Sequence, residues 1–117
     1  MQPGTRTYDV SVRSGDVWRW GFSWHAIDSA TLREILRPLT LGFYINGVRV
    51  PDDRIVAYDD IGADGWVAQR WVMGITDWPA HQRFELEVRY GLSAGIFDGR
   101  DNFAPGQYRQ MIYVSVE

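Results

Sequence analysis

The chain has 117 residues, 45% of them hydrophobic and 15% aromatic, enough for one domain with a real core. A net charge of −3, with Asp well ahead of Glu, excludes the concentrated basic face that a nucleic-acid partner needs. Cys and Lys are both absent and no apolar run reaches about 18 residues, which excludes disulfides, thiolate metal sites, cysteine nucleophiles, Schiff-base lysines and a helical membrane span.

Tyr8, Val10 and Val12 alternate, predicting a first strand, and Ser14-Gly15-Asp16 predicts a tight return. The stretch from Val17 to Trp24 has an aromatic at every even position, so a strand there puts Trp18, Trp20, Phe22 and Trp24 on one face. Four rings of roughly 150–250 Å² each exceed the largest apolar patch a monomer exposes, about 300–600 Å², so this wall is expected to be core. Leu32, Ile35, Leu36 and Leu39 recur at helical spacing and predict a short crossover helix from about Ser29 to Arg37. Asp28 or Thr31 is its N-cap, Glu34 follows Thr31 at capping-box spacing, and Pro38 ends it.

Asn46-Gly47 between alternating runs predicts a two-residue hairpin pairing Ile45 with Val48, Tyr44 with Arg49 and Phe43 with Val50. That register places Leu41, Phe43, Ile45, Val48 and Val50 on the inner face. A turn at 51–54, a short strand at 55–58 and an acidic loop at 59–65 follow, then a central strand at 66–73 with apolar residues on both faces. Across 83–90, Phe84, Leu86, Val88 and Tyr90 face inward, while Arg83, Glu85, Glu87 and Arg89 form a solvated outer face. The long connection 91–107 is expected to be pinned by Ile96, Phe97 and Phe103 before a last strand at 108–116.

About seven to eight antiparallel strands and one short helix predict an all-β, two-sheet sandwich spanning 1–117 as a single domain. Pro105-Gly106-Gln107-Tyr108 leading into a final Val-Ser-Val strand, after the strand from Phe84 to Tyr90, resembles the closing strands of immunoglobulin-like and fibronectin-III-like modules of bacterial surface proteins. The resemblance covers mostly the last third. The Cys pair of antibody-type domains is missing, and the helix departs from the plain sandwich. It implies a module of a longer secreted or cell-surface protein and no particular function.

The chemistry-bearing residues favour binding over catalysis. Ser23, His25 and Asp28 lie too close in sequence for triad geometry, and His81 falls in a loop. Glu85 and Glu87 sit between arginines without the apolar pocket a glycosidase acid requires. A small hydrolase using His25 or this pair is the enzyme alternative. Asp98, Asp101 and Asn102 supply oxygen ligands for structural calcium, although Asp-Gly is also ordinary turn chemistry. Trp66 and Trp78 escape the alternation that buries the other rings. With Asp59, Asp60, Asp64 and Phe97 they form the candidate ligand surface. The expected function is interaction or spacing, with a protein or carbohydrate partner; a carbohydrate-binding module using the loop tryptophans is the alternative.

Overall fold

The computed structural model describes residues 2–62 and 64–117. Strand takes up 58% and helix 10%, which makes the chain all-β. The elements are β1 (Gly4–Val12), β2 (Trp18–Ala26), α1 (Ser29–Leu36), β3 (Leu39–Ile45), β4 (Val48–Arg49), β5 (Val56–Ile61), β6 (Val67–Ile75), β7 (Arg83–Leu92), β8 (Ile96–Phe97), β9 (Asn102–Phe103) and β10 (Gly106–Val116). One sheet runs β1-β10-β7-β3-β4, a second β2-β6-β5, and β8 and β9 form a small ribbon. Two-residue strands raise the count to ten among the described residues, above the number predicted.

The tight return after β1 does not make a hairpin. Asp16 caps the turn by accepting from the Arg13 N–H at 2.9 Å, and the chain crosses there from one sheet to the other. β1 pairs instead with β10, in parallel, from Gly4 opposite Tyr108 to Val12 opposite Val116. Alternation reports which residues share a face but not which distant strand lies alongside.

The ring strand is core, as predicted. Trp20, Phe22 and Trp24 are buried, with Trp18 half-buried. Trp20 meets Phe43 of β3 edge-on at 5.1 Å, and Phe22 stacks on Tyr90 of β7 at 4.7 Å, so the two larger sheets face each other across these rings. Trp24 meets Phe103 at 4.9 Å, which brings the long 91–107 connection into the same core. Ile96 also packs there, whereas Phe97, expected as a third pin, is 55% exposed.

At α1 the Asp28 carboxylate accepts from the Thr31 N–H at 2.7 Å. This backbone bond holds its pKa below the usual carboxylate range. Leu32 and Ile35 are buried. Leu39 fits the helical spacing but opens β3, because Pro38 ends the helix before it.

The hairpin forms in the predicted register, Ile45 opposite Val48 and Tyr44 opposite Arg49. Asn46 and Gly47 have φ of 48° and 80°, the left-handed pair of a type I′ turn. Asn46 Oδ1 also accepts from the Glu85 N–H at 2.8 Å, tying the turn to β7. Val48 was expected inside and is 71% exposed: β4 is a two-residue strand at the sheet edge, where facing inward does not bring cover. The same holds for Tyr8 on the opposite edge strand, β1.

Glu87 corrects the expected solvated face. It points outward yet is 4% exposed, bonded by Arg89 at 2.9 Å and by Arg109 from β10. Arg89 in turn lies over the Tyr44 ring at 3.9 Å. Burial alone would raise the Glu87 pKa, but hydrogen bonds from Arg89 and then Arg109, with their charges, outweigh it and hold it low. A depressed carboxyl stabilises the fold above its unfolded pKa, about 4.3, and that contribution is lost as pH falls through the folded value. Glu87→Gln is therefore expected to lower stability at pH 7 by about 1–3 kcal/mol. In urea titrations, its gap from the parent protein should narrow as pH drops below about 4; equal stability at pH 7 would refute the role.

Candidate functional site

The three-stranded sheet turns outward the face opposite Trp20, Phe22 and Trp24, and strand register decides what meets there. His25 of β2, Ala68 of β6 and Asp60 of β5 form one row; Ser23, Arg70 and Tyr58 form the next. Side chains two apart share a face along β6 and the residue that enters it, so Trp66, just before the strand, Ala68 and Arg70 follow one another. The row through Ala68 has a methyl at its centre and long polar groups on both sides. The result is a depression floored by Ala68 and walled by Trp66, Arg70, His25 and Asp60, part of a cavity of about 620 Å³.

Arg70 links the walls. Its Nε donates to Asp60 Oδ2 at 2.9 Å and its Nη1 to Ser23 Oγ at 3.1 Å, while its Nη2 lies 3.5 Å from His25 Nε2. Asp60 was expected in a loop, but β5 continues through it to Ile61. Beyond β5 the chain turns tightly: the Gly62 N–H donates to the Trp66 carbonyl at 2.8 Å, and Asp64 Oδ1 accepts from the Trp66 N–H at 3.1 Å. Ala63 of the predicted acidic loop lies outside the described residues.

The remaining wall comes from the loop between β8 and β9. Asp98 is buried; its Oδ1 accepts from the N–H groups of Arg100 at 2.8 Å and Asp101 at 2.7 Å, and its carbonyl accepts from the Ile27 N–H at 3.1 Å. Gly99 adopts φ 102°, and a Cβ there would come within 2.6 Å of the Ile27 side chain. A turn this tight against the end of β2 sets Asp98, Arg100 and Asp101 at the cavity rim.

Five of the predicted residues therefore converge: Trp66, Asp60 and Asp64 from the ligand set, Asp98 and Asp101 from the calcium set. Asp59 points to the opposite face of β5, Phe97 lies exposed on β8, and Asn102 is on β9 opposite Phe97; none lines the cavity. Trp78 is corrected outright. It is 4% exposed, 6.0 Å from Trp18 and 5.9 Å from Phe84, and is part of the core. His25, Gly62, Ala68, Arg70 and Arg100 are the cavity residues that the sequence did not single out for binding. For His25, Ala68 and Arg70 the signal is the cross-strand register of β2, β6 and β5, which becomes visible once those strands are aligned; Arg100 lies on the β8–β9 loop, outside that register.

Among the described residues, neither candidate catalytic set takes up a catalytic arrangement. Ser23 Oγ accepts from a guanidinium, and Asp28 caps α1 instead of orienting His25. Glu87 is held by two arginines. Among the described residues, no three His, Asp or Glu side chains gather as a metal-ligand set, and no helix is long and apolar enough to cross a membrane. Comparison with known proteins finds no matching family model, no similar curated protein and no similar solved structure.

Proposed function

We propose that the chain is a non-catalytic interaction module, an immunoglobulin-like sandwich whose contact surface is the outer face of β2-β6-β5. Strand order supports the architecture. Lettering β2 to β7 as B, C, C′, D, E and F, and β10 as G, gives G-F-C-C′ on one sheet and B-E-D on the other. The helix in the B–C connection is this chain's own addition. Fold alone carries no function; the site does. The observation that carries the reading is the cavity over Ala68, where a half-buried Trp66 adjoins charged groups already bonded to one another through Arg70. Pre-bonded polar groups around an aromatic wall suit recognition, whereas a nucleophile needs a base free to take its proton. Such a module fits a larger secreted or cell-surface protein, as its closing strands suggest.

The test is to screen the immobilised chain against a peptide library and a glycan array. The expected ligand is lost in Trp66→Ala and Arg100→Glu and retained in Tyr113→Ala, which alters the outer face of the other sheet. The proposal fails if binding instead follows Tyr113, if no ligand is found, which leaves a spacer, or if esters or glycosides are turned over in a manner abolished by His25→Ala.

A further inference from the structure

We infer that the cavity over Ala68 takes a neutral oligosaccharide, an inference that rests on the reading of this face as the contact surface. Trp66 offers the cavity an aromatic wall, and around it stand groups of both signs within one small space. The charges are largely satisfied before any ligand arrives. Arg70 holds Asp60 at 2.9 Å, Asp64 Oδ1 is taken by the Trp66 N–H, and Asp98 Oδ1 is taken by two backbone N–H groups. A free anion would meet the carboxylates, and a cation would meet Arg70 and Arg100. A hydroxyl both donates and accepts, so a polyol can use both kinds of group without bringing a charge of its own.

Spare capacity supports the match. An ionised carboxylate has about four acceptor sites and a guanidinium five donors, more than the bonds named here consume. Sugar rings present C–H faces to aromatic rings and hydroxyls at their edges, which fits a Trp wall with polar groups beside it. The volume, about 620 Å³, lies within the ~300–1,000 Å³ of small-molecule sites and exceeds what one pyranose fills, so a short oligomer is the expected occupant.

The experiment titrates ¹⁵N-labelled protein with cello-, xylo- and manno-oligosaccharides, and in parallel with choline and oligogalacturonate as charged probes. A neutral oligosaccharide is expected to saturate and to shift the Trp66 indole and the His25 and Asp60 amides. Trp66→Ala should weaken it at least tenfold, and Trp66→Phe, which keeps a ring, should recover part of the loss. Should Trp66→Ala fail to fold, Arg100→Ala on the exposed rim serves in its place, with a weaker but measurable loss expected; unchanged affinity in a folded variant overturns the inference. So does saturation by choline or oligogalacturonate alone, or no neutral glycan binding at millimolar concentration. A peptide that maps to Trp66 would end the sugar inference while leaving the contact face intact. Shifts confined to other surfaces would end both.

Discussion

Trp20→Ala is expected to lower the unfolding free energy by about 3–5 kcal/mol, the usual result of truncating a buried large aromatic to a methyl. Domains of this kind have about 5–15 kcal/mol in total, so the variant is left marginal or unfolded at 37 °C. The ring is 2% exposed and lies edge-on to Phe43 of the opposite sheet, so its removal opens a void between the sheets. Its Nε1–H is buried without a hydrogen-bond partner among the described residues, so the side chain contributes through packing alone and against a polar cost. Trp20→Phe removes that cost while keeping a ring, and should lose well under half as much. Urea denaturation measures both. An unchanged midpoint for Trp20→Ala would mean that the aromatic wall is surface and itself the contact site.

Trp78→Ala is expected to cost a similar amount, about 3–5 kcal/mol. Trp78 sits between Trp18 of the three-stranded sheet and Phe84 of the five-stranded sheet, closing the core at the end of β6. The loss should appear as stability: ligand binding at the Ala68 cavity persists wherever the variant stays folded. A variant as stable as the parent, or one that folds and loses the ligand, would return Trp78 to the surface role that its loop position suggests.

The contrast between these two tryptophans marks what local sequence carries. Trp20 lies in a run whose period of two is itself the signal of a one-sided strand, and the Asn46-Gly47 hairpin is equally local, so both were legible. Trp78 lies in a loop, where no period exists to assign a face; Asp77 beside it adopts a left-handed φ of 57°, which sequence does not announce. Glu87 was unreadable for another reason. Its alternation gave the correct face, but one of the two arginines that hold it, Arg109, comes from a strand 22 residues away. The parallel pairing of β1 with β10 joins the two ends of the chain and leaves no trace in either segment.

The site was legible in its parts and not in its assembly. Trp66, Asp60, Asp64, Asp98 and Asp101 each stood out as polar or aromatic residues near turns. What brings the two acidic segments to one cavity is the alignment of β2 with the later pair β6 and β5, and the Asp98 carbonyl bond to Ile27 that folds the second segment over the end of β2. Ala68 is the clearest instance. A lone alanine in a strand carries no signal, yet between His25 and Asp60 its small size makes the floor.

Oxidative footprinting of the six tryptophans by fast hydroxyl-radical labelling, read residue by residue in a mass spectrometer, tests the division between core rings and contact rings. Trp20, Trp24 and Trp78 should be protected and Trp66 labelled, with Trp66 alone gaining protection when the ligand is added. Labelling of Trp20 or Trp78 at or above the level of Trp66 would contradict it.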